Sequence, residues 1–357
     1  MSNILARSPF IVSVNEGGQT GSKIDVFIWN GTGSAPAFPQ YTLSKLIPAS
    51  NILLTTYNVS PYIREYLSFP NFPNAFGGVN PATPTTAWCN VVIKRYKSVD
   101  GVFTILDTTT YKAFDGYSYY ASGSNVAGSS YLLDEGNYNY NYDSTADLTT
   151  EPLKRAGQFT FLAISGFSVK YSEIGTANFL IVNLFTTQVQ DMRKVNSAYM
   201  AKGNKVEIIN ASSVVQWTAY FYPVSECKYT PVVIDFVNKN GSWQREFFMK
   251  ASRDSFNMEN SEFNLMQSNL VNYSVLEGQR KSFNSNGKES IKVNTGWVAE
   301  SFGLILKQIM LSERILINNR PAMINTKSIE LMTHINNKNI NYEIEFMFAH
   351  ETINSVV

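Results

Sequence analysis

Histidine and cysteine are scarce in this chain: two of each among 357 residues. Histidine is the side chain that most readily moves protons near neutral pH and most often ligates zinc, so His-based catalysis and His-based metal centres are not expected. Cys89 and Cys227 stand far apart, and one pair defines no disulfide framework; two buried or half-buried thiols are the expectation. Charged residues make up only 16%, against the usual quarter or so. Basic and acidic residues nearly cancel, 29 against 28, which excludes the basic footprint of a nucleic-acid binder. There is no polybasic run for an anionic lipid surface. No apolar run approaches the ~18 residues needed to cross a bilayer. Met1 to Phe10 lacks the charged-then-apolar pattern of a secretory signal, so synthesis in the cytoplasm is expected, without secretion by the general route and without membrane insertion.

Aromatic and uncharged polar residues fill the deficit: 20 Tyr, 23 Phe, and many Asn, Ser and Thr. Amides and hydroxyls cost less to desolvate than charges, so such a surface suits permanent protein–protein packing. The length fits two domains.

Short alternating segments recur along the chain. Ile24, Val26 and Ile28 oppose Phe27 and Trp29, so this strand is expected to be covered on both faces. Ser60-Pro61 reads as N-cap and first position of a helical turn. Residues 69–86 hold four prolines and read as loop. Val99-Asp100-Gly101 turns a hairpin, and further short strands follow at sandwich-like spacing. Asn238-Lys239-Asn240-Gly241 sits between alternating runs (Val233, Asp235, Val237 before; Trp243, Arg245, Phe247 after) and signals another hairpin. The polar stretch 252–268 reads as an extended excursion rather than a linker, with Phe256, Phe263, Leu265 and Met266 to bury. Near the end, Val298, Phe302, Ile305, Leu306 and Ile309 fall at i, i+4, i+7, i+8 and i+11, one face of a long amphipathic helix that Thr295 would cap. Tyr342, Ile344, Phe346 and Phe348 then alternate with polar residues and Met347 as a half-buried strand. The fold class expected is mainly β. One or two β-sandwich domains occupy 1–228, and an α+β assembly domain with the helix packed on a sheet occupies 229–357.

No catalytic constellation emerges. There is no Gly-x-Ser-x-Gly elbow and no phosphate loop. The acids Asp134, Glu135, Asp143, Asp147 and Glu151 lack the spacing of a calcium loop. No catalytic, metal or cofactor-binding residues are assigned, and no cofactor is expected. The richest candidate surface is the Tyr/Asn/Gly/Ser segment 114–150, with Tyr117, Tyr119, Tyr131, Tyr138, Tyr140 and Tyr142. This mixture is typical of recognition loops; the plainer reading is an ordered sheet edge with its tyrosines packed.

Several of these stretches resemble the tail structural proteins of tailed bacteriophages and related prophages. They are Asn58 to Tyr66, Ala113 to Tyr117, Cys227 to Pro231 with Asn238 to Gln244, Asn286 to Trp297, and Asn341 to Phe346. The resemblance implies a virion component of the tail tip, baseplate or neck, without enzymatic activity. Its partners would be further copies in an oligomeric ring and other virion proteins, with no direct nucleic-acid contact. Two alternatives stand beside it: a receptor- or glycan-binding module using the Tyr-rich segment, and a polysaccharide-degrading tail enzyme.

Overall fold

The structure, a computed structural model, describes residues 3–31, 33–48, 53–68, 79–82, 85–128, 139–141, 158–163, 166–183, 191–196, 202–224, 228–265, 276, 278–332 and 340–353. Among these, strands dominate and the two α-helices are short, so the chain is mainly β. It divides into two compact units. The first holds 1–225, 235–246 and 304–312; the second holds 226–234, 247–303 and 313–357.

The first unit begins with β1 (Asn3–Leu5), β2 (Ile11–Val14), β3 (Gly21–Asn30), β4 (Tyr41–Leu46), β5 (Thr55–Asn58) and α1 (Ser60–Arg64). Next come β6 (Val79–Ala82), β7 (Trp88–Val99), β8 (Val102–Phe114) and β9 (Asn139–Asn141). It continues through β10 (Gln158–Ala163), β11 (Ser168–Glu173), β12 (Phe179–Asn183), β13 (Asp191–Asn196), β14 (Asn204–Ile209) and β15 (Val215–Val224). The first sheet has the order β1-β8-β7-β3-β4, and β2 pairs with β5. The others run β10-β13-β6 and β12-β11-β14-β15-β9.

The core of the first sheet comes from one face of β3 and β7: Ile24, Val26 and Ile28 pack with Val91, Ile93 and Cys89. Val14, Tyr57, Val59 and Ile63 close over them. Each such aliphatic side chain contributes about 1.5–3 kcal/mol on burial. Phe27, on the other face of β3, is also buried, under the Lys94 ammonium 4.8 Å from its ring centre. The two-sided cover expected of this strand therefore holds at Phe27. Asp100 and Gly101, both at positive φ, join β7 to β8 as a two-residue turn whose twist matches the strands.

Three local expectations are corrected here. Ser60 does not cap α1; Val59 occupies the cap, while the Ser60 hydroxyl donates to Ser8 O at 2.6 Å and accepts from Phe10 N–H at 2.9 Å. It ties the helix to the distant segment between β1 and β2 instead of to its own backbone. The Pro-rich stretch does contain a strand, β6. It includes Pro81 and lies at the edge of its sheet, where a missing N–H costs no ladder bond. The strands β1 and β4 had no counterpart in the sequence reading.

The later elements are β16 (Val232–Val237), β17 (Trp243–Phe248), β18 (Arg253–Asn264), β19 (Arg280–Asn294), α2 (Phe302–Met310), β20 (Ile315–Ile317), β21 (Arg320–Ile324) and β22 (Glu343–Glu351). Their sheet runs β17-β16-β20-β21-β22-β19-β18; β16, β17 and α2 each carry residues of both units. β22 alternates as expected, with Ile344, Phe346 and Phe348 buried.

The helix is shorter than its periodicity implied. Val298 is not helical: it bridges Ile340, to whose carbonyl its N–H donates at 2.9 Å. Thr295 caps nothing; its hydroxyl oxygen accepts from Tyr342 N–H at 3.0 Å. Gly296 at φ +74 turns the chain between them. A four-residue spacing from Val298 to Phe302 fits a buried bridge followed by a turn as well as it fits one helical face. Phe302, Ile305, Leu306 and Ile309 do form the buried face of α2.

Cys89 is fully buried and unbridged. Burial pushes its thiol from 9.0 up to about 12, against a smaller opposing pull from Lys112. The folded state therefore holds this proton more tightly than the unfolded state. Its contribution to stability is complete below pH 9 and declines as pH climbs towards 12. In a Cys227→Ser variant, we expect no labelling of Cys89 by a thiol reagent at pH 8 until denaturant unfolds the chain, and a melting temperature that falls through that alkaline window.

Candidate functional site

Three places gather polar or aromatic side chains in ways that ordinary sheet packing does not require. The first is the β16–β17 hairpin. Its sequence alternates, yet every residue of both strands is buried. The Arg245 guanidinium donates to both Asp235 oxygens, at 2.7 and 2.9 Å, with neither side chain more than 1% exposed. Asn238 Oδ1 accepts the N–H groups of Asn240 and Ser242 at 3.0 and 3.2 Å, which folds the turn onto the side chain. Asn238 Nδ2 donates to Gln244, and Gln244 Nε2 donates to Glu246 Oε1 at 2.9 Å.

The turn of this hairpin meets the segment after β8. Tyr117 N–H donates to Lys239 O at 2.7 Å. A Cβ on Gly116 would lie 2.5 Å from Lys239 O, and one on Gly241 would lie 2.6 Å from Gly116 N. Two backbones approach here at a distance only glycine permits, and Gly241 also sits at φ +76. The flanks are tied as well. Arg64 Nε donates to Asp115 at 3.0 Å, Arg7 N–H to Gly116 O at 2.8 Å, and Lys239 N–H to Gln308 Oε1 at 3.1 Å. The stretches 113–117 and 238–244, both among those carrying the resemblance, thus pack on one another.

The second place is a cavity of about 710 Å³ lined by Ser8, Pro9, Tyr119, Tyr120 and Gly123 among others. Its wall takes Ser118 to Ala121, Gly123 and Ser124 from the Tyr-rich segment. Tyr120 is fully exposed. Tyr119 has the Lys307 ammonium 4.4 Å from its ring centre. Tyr117 is buried, with its ring 5.8 Å from that of Tyr119 and Arg7 4.9 Å away; it offers no free face. Tyr140 lies in β9, opposite Pro223. Tyr131, Tyr138 and Tyr142, like Cys227, His334 and the acids 134, 135, 143, 147 and 151, lie outside the described residues.

The third place corrects the reading of 252–268: Phe256, Phe263 and Leu265, expected to be buried, are exposed; Met266 lies outside the described residues. In the second unit, β18 and β19 form a long two-stranded arm from Arg253↔Lys292 to Asn264↔Arg280. All twelve residues of β18 are exposed, and so are the first six of β19. Phe256, Met258, Phe263 and Phe283 are 59%, 64%, 42% and 51% exposed. The Phe256 ring lies over Gly287, where a Cβ would collide with it; this covers a position that has no side chain of its own. At the base of the arm is a cleft of about 520 Å³. Ile291, Ile317 and Phe348 are among its lining residues, with Asp254, Glu289 and Arg320 beside them. Arg320 donates to Glu289 at 2.6 Å, and the buried Ser290 hydroxyl has no partner among the described residues.

Among the described residues, no three His, Cys, Asp or Glu side chains converge closely enough to hold a metal ion. Compared with protein-family models, with curated proteins and with solved structures, the chain matches none.

The Asp235–Arg245 pair sets a measurable expectation. Asp235→Ala leaves a buried guanidinium short of its counter-charge and should cost about 3–5 kcal/mol in urea denaturation. Replacing both partners with apolar residues of similar size should recover most of that loss.

Proposed function

We propose that this chain is a non-enzymatic structural protein of a tailed-phage virion, assembling into an oligomeric ring in the tail tip, baseplate or neck. In this reading the N-terminal sheets pack as sandwich layers, and the C-terminal strands with α2 form an α+β assembly region. The observation that carries it is the exposed β18–β19 arm. An isolated chain has little use for a long strand pair with phenylalanines facing water, because such an edge recruits other chains. A virion subunit buries that surface in its neighbours. The low charge content agrees, since little desolvation of ions opposes association. The resemblance of the quoted stretches to phage tail proteins supplies the biological setting.

A second reading rests on the Tyr119–Tyr120 cavity. An exposed aromatic face among hydroxyls and a glycine is the chemistry that stacks on sugar rings, so the same subunit would also hold a surface glycan. Repetition around a ring would raise a weak affinity.

Two measurements address these readings. The purified chain should run in solution at the mass of several copies and show closed rings in negative stain; a monodisperse monomer at high concentration sinks the ring reading. For the glycan reading, binding on a glycan array should weaken at least tenfold in Tyr120→Ala while the oligomer is unchanged. No binding by the wild type removes it.

A further inference from the structure

We infer that the arm is the ring-closing contact, and that its occupant is the arm of a second copy, added edge to edge so that β18 of one copy pairs with the distal half of β19 of the next. This deepens the ring reading above and rests on it. Among the described residues, neither edge involved is paired. β18 ends its sheet. β22 covers β19 only from Lys288 onward, so among the described residues 280–285 have β18 on one side and no strand on the other.

Their charges are complementary. β18 carries Asp254, Glu259 and Glu262 against a single Arg253, whereas 280–288 carries Arg280, Lys281 and Lys288 and no acid. Glu259 and Lys288 satisfy each other within the arm at 3.0 Å. Asp254, Glu262, Arg280 and Lys281 make no ion pair among the described residues. Each arm therefore presents an acidic edge and a basic edge, and two arms side by side neutralise one pair of them. β18 against a second β18 would set acid against acid. The contact is thus heterologous, head to tail, which is the type that generates rings.

Register supports closure. Within the arm Asn264 is level with Arg280. An antiparallel pairing that sets Glu262 opposite Arg280 of the next copy keeps Phe263 on the same face in every copy. It staggers successive arms by two residues, about 7 Å. Closed barrels need a stagger of this kind between strands. Phe263 and Phe283 then lie on one face of the extended sheet and Phe256 and Met258 on the other, each row flanked by its equivalents from neighbouring copies.

The test uses the full chain in two charge variants, Glu262→Lys and the double variant Arg280→Glu with Lys281→Glu. Each alone should lose at least tenfold in self-association, read by analytical ultracentrifugation at low salt. Mixed one to one, they should assemble again, because each supplies the edge the other needs. A misfolded variant would not be rescued, and circular dichroism of each confirms its strand content. If the wild type forms rings and both variants still form them, the arm contact is overturned while the ring reading stands. If neither variant assembles alone and the mixture also fails, the charge pairing is overturned. If the wild type itself is monomeric, both fall together.

Discussion

The burial of the β16–β17 hairpin is the constraint on which much of the first unit depends. Its strands bring Asp235, Arg245, Gln244 and Glu246 out of water together. Buried charge is tolerable only when it is paired and hydrogen-bonded, because the desolvation penalty otherwise exceeds any gain from packing. The bidentate Asp235–Arg245 pair and the Asn238-centred turn meet that requirement internally. These bonds satisfy part of the hairpin's buried polarity within itself, and its tip is gripped by backbone. The facing glycines, Gly116 and Gly241, make the grip possible, since either Cβ would force the segments apart.

Around that grip the ties come from far along the chain. Arg7, Arg64, Asp115 and Gln308 each reach it from a different element. The result fixes Tyr117 inside and leaves Tyr120 outside, so the Tyr-rich segment is divided between packing and surface within a few residues. A composition suited to recognition serves both purposes here.

The second unit shows a contrasting economy. Its core is an alternating sheet with Ile344 and Phe346 fully buried, and from it projects an arm with no core of its own. Two strands alone are marginal in water. The ring proposal assigns the arm's apolar side chains and uncovered edges to contacts with another copy. Phe256 over Gly287, and Phe263 edge-on to Phe283 with ring centres 5.5 Å apart, tie the two strands of the ribbon together.

Periodicity and turn residues specify the local pieces: the mainly β class, the turns at Asp100-Gly101 and Asn238 to Gly241, the alternation of β22, and the apolar stripe from Phe302 to Ile309. These are visible because side-chain period and turn geometry are properties of neighbouring residues. Long-range packing sets the rest: that Asp235 and Arg245 are buried, that Val298 bridges Ile340 rather than starting a helix, that Ser60 binds the segment between β1 and β2, and that β18 is left uncovered. Each of these depends on which distant segment lies alongside. The same alternating pattern serves a half-exposed strand and a wholly buried one, and the difference is made by what packs on the second face.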